Sequence, residues 1–464
     1  LELLSVKDIQ TVYFIGIGGI GMSALARYFH SYGKKVSGYD KTPTPLTDAL
    51  QQEGIAVHFV DDIGLLPQNV DLVVYTPAVP VTHQELNHFR QLGTTIMKRS
   101  EVLGVISRSS FNICIGGTHG KTTTTTMTAH VLRYTGYGCN AFLGGISVNY
   151  NTNFWSDSRN VSVIEADEYD RSFLQLHPDI AVISSMDPDH LDIYGTEEAL
   201  QDAFIDFSKK LKPGGTLLSK FGLPRGRSLE APNHLTYSLQ NDAADIYAVN
   251  ISMHDGSYRF DVVLPGAVLN GFDLHMGGLH NVENALVAIA IAHQLGIEES
   301  AIKAAIAAFK GVKRRFEYVV KNSELVYIDD YAHHPEELKA LLKGARTLFP
   351  ERKCTIIFQP HLFTRTRDLA DGFAASLDLA DEVILLPIYP ARELPIPGVT
   401  SEMILERLRI SEKQLMDKDA VLQYIKDKFL PAIRPDFRGL LITAGAGDID
   451  TLVHPIETLI NDKW

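Results

Sequence analysis

The run Gly116-Gly117-Thr118-His119-Gly120-Lys121-Thr122-Thr123 limits this chain more than any other feature, because it sits between an apolar stretch ending at Ile115 and a Thr-rich stretch reaching Tyr134. That order predicts a strand, a tight loop and a helix. Glycines there let backbone N–H groups turn inward, the helix N-terminus adds about half a positive charge, and Lys121 adds a full one. Such a loop seats a triphosphate, and Thr122 puts a hydroxyl where a Mg2+ ion bridging the phosphates takes an oxygen. The strict nucleotide loop has a glycine where Ile115 stands, so this one is a shortened variant.

The rest of the chain continues the alternation of strand and helix. Val12–Ile17, Met22–Tyr32, Lys35–Tyr39, Ala49–Glu53 and Asp71–Tyr75 follow the βαβ rhythm of a parallel sheet, and a second cycle opens at Asn112. After Pro213-Gly214-Gly215 come shorter alternating segments such as Tyr258–Leu264, which predict antiparallel strands, and then an Ala-rich buried helix from Asn281 to Leu295. A third alternation starts near Val319 and ends with a strand at Gly439–Thr443. At 464 residues more than one core is expected, and three α/β domains account for the length: 1–103, 104–318 and 319–464.

Composition removes several classes of function. A net charge of -13 leaves no broad basic face for nucleic acid, so any phosphate site is local. Cys114, Cys139 and Cys354 lack the spacing of a zinc site or a disulfide framework and read as reduced cytosolic thiols. No apolar run approaches membrane-spanning length, and Leu1–Gln10 has no basic region leading into an apolar one, so the expected location is cytoplasmic, with no membrane partner. Oligomeric state is not readable.

Two acidic groups follow the loop. Val161–Ile164 runs into Glu165-Ala166-Asp167-Glu168, where a carboxylate at a strand end could hold the same metal, and Asp187-Pro188-Asp189-His190-Leu191-Asp192 follows Ile180–Ile183. Alone, each also fits a helix cap or solvated turn. Near the start, Gly16-Ile17-Gly18-Gly19-Ile20-Gly21-Met22 follows a strand and Asp40 lies about twenty residues on, which by itself is the dinucleotide fingerprint and leaves an NAD-dependent oxidoreductase open. The glycines approach a pyrophosphate without saying whose it is.

In sequence order, Gly117 to Thr122, Glu165 to Glu168, Asp189 to Asp192, His280-Asn281-Val282-Glu283-Asn284, Gly311 to Glu317, Asp329 to Pro335 and Phe358 to Arg367 resemble the motifs of the Mur ligases of bacterial cell-wall synthesis. The resemblance covers nearly the whole chain and is strongest to the alanine-adding branch. It implies a Rossmann-like N-terminal domain, a central P-loop ATPase-like domain with added antiparallel strands, and a Rossmann-like C-terminal domain. The implied reaction joins L-alanine to the lactyl carboxylate of UDP-N-acetylmuramate through an acyl phosphate, at the expense of ATP with Mg2+. In a related activity a tripeptide is attached instead.

The resemblance also implies roles. Gly117, Thr118, His119, Gly120, Lys121, Thr122 and Thr123 would bind ATP phosphates, Asn281 and Asn284 would lie on the adenine side, and Arg315 and Asp330 would reach the phosphates and ribose. Thr122, Glu165 and His190 would hold metal. Gly16, Gly18, Gly19, Gly21, Met22 and Asp40 would take the UDP part, and His333, His334 and Arg365 would surround the amino acid; Lys121, His190, His333 and Arg365 are the catalytic candidates. Leu362 stands where some relatives carry arginine, and the helix with Phe204, Ile205 and Asp206 offers Lys209 too late for the carbamylated lysine of other branches. Groups drawn from three domains imply closure, with hinges expected near Leu103 and Val319.

Overall fold

The computed structural model describes residues 8–254, 256–391, 393–434 and 438–463, with 191–192 by backbone only. The opening stretch to residue 7, on which part of the expectation about export rests, lies outside the described residues, as does the Asp192 side chain of the second acidic motif. The chain divides into two compact units. One comprises the sequence up to Ile251 with Phe260–Asp273 and Val282–Phe309; the other runs from Lys310 onward and includes Ser252–Arg259 and Leu274–Asn281.

The first unit opens with a five-stranded sheet of β1 (Thr11–Ile15), β2 (Lys35–Tyr39), β3 (Ala56–His58), β4 (Leu72–Tyr75) and β5 (Thr95–Lys98), in the order β3-β2-β1-β4-β5. All its pairings are parallel. Strand order reverses between β1 and β4, and Gly16–Gly21 leave β1 at that switch point, where open α/β sheets bind ligands. The helix Ile20–Ser31 follows, with Met22, Leu25 and Phe29 buried against the sheet.

A ten-stranded sheet is built from β6 (Phe111–Gly116), β7 (Asn140–Ser147), β8 (Thr152–Trp155), β9 (Val161–Glu165), β10 (Ile180–Ile183), β11 (Thr216–Lys220), β12 (Asn233–Ser238), β13 (Ile246–His254), β14 (Ser257–Leu264) and β15 (Ala267–Leu274). Its order is β15-β14-β13-β12-β11-β10-β6-β9-β7-β8. β6 lies between β10 and β9 and is parallel to both, so its Asn-Ile-Cys-Ile run is buried throughout, as a covered parallel strand requires. The turn-rich segments after residue 215 begin with β11 and β12, which still pair in parallel; an antiparallel pair joins β7 and β8 at the opposite edge. The Ala-rich helix Leu279–Gln294 carries a buried block from Ala285 to Ala292.

In the second unit β16 (Glu317–Lys321), β17 (Leu325–Asp330), β18 (Lys353–Phe358), β19 (Glu382–Leu385), β20 (Lys413–Leu415) and β21 (Gly439–Ala444) form a sheet in the order β16-β17-β21-β18-β19-β20. It is parallel except for the edge pair β16 and β17.

The hinge positions require correction. Leu103 lies inside the helix Arg99–Ser109 and is buried, and Val319 lies inside β16, so hydrogen-bonded backbone occupies both places where a hinge would need freely changing φ and ψ. The three cysteines form no disulfide and are buried, and burial pushes the thiols of Cys139 and Cys354 up to about 12, leaving them unreactive. Among the described residues no helix is long and apolar enough to cross a membrane.

Candidate functional site

The phosphate loop leaves β6 at Gly116 and enters the helix Lys121–Tyr134. Gly117 (φ +132°) and Gly120 (φ +80°) take conformations that L side chains rarely adopt, and a Cβ on Gly117 would stand 2.1 Å from Ser184 Oγ. The chain after β10 clamps the loop from one side. Ser184 N–H donates to Gly116 O (3.0 Å), Thr118 N–H to Ser185 O (3.3 Å), His119 N–H to Ser185 Oγ (2.7 Å) and Thr118 Oγ1–H to Ser185 Oγ (2.9 Å). Ser184 and Ser185 escape the sequence reading; their one signal is that they directly follow an apolar strand that pairs with β6. The His119 side chain points outward, with Nε2 3.6 Å from Asp187.

Lys121 opens the helix, and its Nζ donates to Gly117 O (2.7 Å) and to Glu168 Oε1 (2.8 Å). Glu168 Oε2 also lies 2.8 Å from Nζ but accepts no hydrogen bond. The Glu168 side chain is fully buried; burial pushes its carboxyl above the ordinary range while the Lys121 charge pulls the other way. Thr122 Oγ1–H donates to Glu165 Oε1 (3.0 Å), and Gly144 N–H binds Glu165 Oε2 (2.9 Å). Thr123 is buried in the first turn. Asn284 Oδ1 accepts from Thr124 Oγ1 (3.0 Å), which brings the Ala-rich helix to the loop's helix. His190, at φ +50°, joins Asp189 and Glu168 in a group whose ligand atoms all lie within 4.8 Å of one another. Glu168 is the buried member of the group, and residue order alone gives it no role of its own.

The donors suit Mg2+. Carboxylates and a hydroxyl are its preferred ligand types, and the loop is a cradle that a single Cβ would fill. Glu165 lies against Thr122, and Asp189, His190 and Glu168 form the neighbouring group.

The N-terminal loop is organised by Asp40, whose Oδ2 accepts from Gly18 N–H (2.7 Å) and Oδ1 from Thr42 N–H (3.3 Å). Gly16 (φ +88°) makes the turn and Gly19 caps the helix. Gly21 lies under Arg99, since a Cβ there would meet Nη1 at 2.6 Å, and Arg99 Nη2 reaches Asp167 Oδ2 at 3.4 Å. Arg99 is a further group that residue order does not reveal. The Met22 side chain belongs to the core, at 2% exposure.

In the second unit Asp330 ends β17, with Oδ2 accepting from Phe316 N–H and Oδ1 from Ala332 N–H, both at 2.7 Å; burial pushes its carboxyl up to about 6. Arg315 is exposed, whereas Arg314 pairs with the buried Asp329 at 3.2 Å. The Asn281 side chain is buried and donates to Gly277 O (2.7 Å). His333 Nδ1 faces Tyr331 O at 3.0 Å, and burial, with Arg365 and His334 nearby, holds its imidazole below the ordinary value. Its ring lies 6.1 Å from that of His361, which stacks on Tyr389 and meets Arg365 Nη1 at 3.4 Å. His334 caps the helix Pro335–Leu348 through its N–H and Glu337 (3.1 Å). Leu362 starts the helix Phe363–Leu377 at φ +72°. His333, His361 and Arg365 therefore meet, while His334 caps with its backbone and keeps its side chain exposed.

Three family models match in order: the Mur ligase family catalytic domain over residues 11–110, the Mur ligase middle domain over 115–292 and the Mur ligase glutamate ligase domain over 314–446. A Flavobacterium johnsoniae protein named UDP-N-acetylmuramate–L-alanine ligase is 47% identical over 464 residues, covering 99% of this chain and 100% of its own. A Porphyromonas gingivalis protein of the same name is 48% identical over 455 residues, covering 97% and 98%. Among solved structures, a UDP-N-acetylmuramate-alanine ligase from Thermotoga maritima superposes with a TM-score of 0.81 at 28% identity, covering 98% of this chain and 100% of that one. A phosphate loop clamped beside two carboxylate groups, three models matched in order and relatives aligned end to end agree on one conclusion: the chain belongs to the Mur ligase family.

Proposed function

We propose that the protein joins L-alanine to the lactyl carboxylate of UDP-N-acetylmuramate, converting ATP to ADP and phosphate, in the cytoplasmic stage of peptidoglycan synthesis. The observation that carries this reading is the end-to-end match to relatives named for that reaction, on a chain whose loop places Lys121 beside the buried Glu168 and Thr122 beside the half-buried Glu165.

A carboxylate is a poor acyl donor because its leaving group would be oxide, so activation comes first. The lactyl carboxylate oxygen attacks the γ-phosphorus of ATP, the bond from that phosphorus to the β-γ bridging oxygen breaks, and ADP leaves. The alanine amine then adds to the acyl carbon of the acyl phosphate, and the tetrahedral intermediate expels phosphate as the nitrogen loses a proton.

An anion approaching a triphosphate is opposed by charge, and Lys121 with the helix N-terminus offsets part of it. Bound Mg2+ supplies further charge neutralisation at the phosphates; Thr122 and Glu165 would hold one ion, His190 with Asp189 another. The loop N–H groups between Gly117 and Thr123 that do not face Ser185 and the side chain of Asn284 orient the nucleotide, Arg315 and Asp330 contact its phosphates and ribose, and Asn281 acts by holding the backbone at Gly277. Gly16 to Gly21 and Asp40 take the UDP diphosphate. Arg365 forks onto the amino-acid carboxylate. His333 carries its proton on Nδ1, which faces a carbonyl, so Nε2 keeps a lone pair for the amine proton. The domain divisions 1–103, 104–318 and 319–464 belong to this reading.

The test is ADP release with UDP-N-acetylmuramate and each of L-alanine, glycine and L-serine, followed by transfer of labelled carboxyl oxygen. Turnover with L-alanine and label in the liberated phosphate are expected. Phosphate without label would overturn the acyl-phosphate route, and turnover only with a tripeptide would move the protein to the related activity.

A further inference from the structure

We propose that Glu168 is a positioning residue that aims the Lys121 ammonium at the nucleotide; this rests on the ligase reading above. An ammonium has three N–H donors. Two are committed, one to Gly117 O at 2.7 Å and one to Glu168 Oε1 at 2.8 Å. The third is committed to neither, and the Lys121 side chain keeps 15% of its surface exposed while Glu168 keeps none. Lys121 therefore binds a phosphate without leaving its two partners.

The backbone that carries this buried carboxylate is itself fixed. Tyr194 O–H donates to the main-chain carbonyl oxygen of Glu168 at 2.6 Å, Arg171 N–H donates to the same carbonyl at 2.9 Å, and the next turn places Asp170 and Arg171 at φ +52° and +56°. Two consecutive non-glycine residues in the left-handed region persist only where surrounding structure holds them. A flexible four-carbon amine gains its direction from such a fixed acceptor. Glu168 thus acts through Lys121, and the metal group of Asp189 and His190 is adjacent rather than its main contact: His190 Nε2 is 3.8 Å from Glu168 Oε1.

The experiment uses the full chain and compares wild type, Glu168→Gln, Glu168→Asp, Lys121→Ala and the double variant Lys121→Ala/Glu168→Gln. Glu168→Gln keeps the shape and an acceptor but loses the charge, so kcat falls at least tenfold while KM for ATP, and the Kd of metal-free ATP by calorimetry, stay within about threefold. Glu168→Asp recovers part of kcat. In the Lys121→Ala background the same Gln substitution changes kcat by less than about threefold, because the group it positions is gone. An equal loss in both backgrounds would overturn the proposal and assign Glu168 to the metal, as would unchanged kcat in the single variant. Failure of the wild type to bind ATP at all would instead remove the ligase reading.

Discussion

Thr122 Oγ1 and Glu165 Oε1 stand 3.0 Å apart, so the first turn of the nucleotide helix is joined directly to the end of β9. The contact exists because β6 and β9 are parallel neighbours whose carboxyl ends lie side by side. Glu165→Gln keeps the hydrogen bond but removes the charge a cation needs. The half-saturating Mg2+ concentration for ADP release is expected to rise roughly tenfold or more, in the range of metal-site substitutions. A Mg2+ titration with unchanged midpoint would show that Glu165 is not a ligand.

Lys121→Ala should have two effects. Turnover falls at least roughly a hundredfold, about 3 kcal/mol of lost electrostatic stabilisation. Stability also falls, on the order of 3 kcal/mol at neutral pH, because Glu168 is left buried without its cation. Burial raises the Glu168 carboxyl, and a raised carboxyl stabilises most below its unfolded value and loses that contribution as pH climbs. The deficit relative to wild type should therefore be smaller at pH 5 than at pH 8, as urea denaturation at both would show.

Gly117→Ala tests the clamp on the loop. The added Cβ meets Ser184 Oγ at 2.1 Å from a backbone at φ +132°, so loop and clamp must separate. ATP affinity should drop more than tenfold. Gly136→Ala, at φ +72° with no neighbour within 4 Å, should cost only about 1 kcal/mol of stability and leave ATP binding intact. Equal ATP binding by both variants would count against the clamp.

Asp329 makes stability depend on pH. Burial pushes its carboxyl up to about 7, against the opposing pull of Arg314 and the hydrogen bond from Thr443. The unfolded value is near 4, so the native state holds a proton the unfolded chain has lost. The stabilisation is complete below about pH 4 and is lost as pH rises towards 7. Asp329→Asn should flatten that fall, and chemical denaturation at pH 4.5 and 7.5 should show a smaller change for the variant; parallel profiles would exclude this assignment.

Arg365→Ala should raise KM for L-alanine about tenfold or more while KM for ATP changes little, since a bidentate contact to a carboxylate is lost. Initial rates with each substrate varied in turn would separate the two.

Motifs set by local chemistry were legible from residue order. Glycines at Gly117 and Gly120, a lysine opening a helix and a carboxylate ending a strand declare themselves because the loop's function lies in backbone that only glycine adopts and in charges a few residues apart. The apolar runs of β6 and β10 likewise exposed parallel strands buried on both faces. The helix Lys121–Tyr134 followed from the Thr-rich stretch that comes after the loop. The hinge positions were not legible, since a composition change can fall inside a helix, as at Leu103.

Sequence by itself therefore determined which groups exist, in what order, and that one loop takes a phosphate. Tertiary structure alone decided which side chains meet: Glu168 with Lys121, Ser184 and Ser185 with the loop, Arg99 with Gly21, and His361 with Arg365 and Tyr389. Apart from the helical turn linking His361 to Arg365, these meetings depend on how strands and helices pack. Chain order does not specify that β10 and β9 flank β6; the burial of apolar faces does, and it brings residues 47 positions apart to within 2.8 Å.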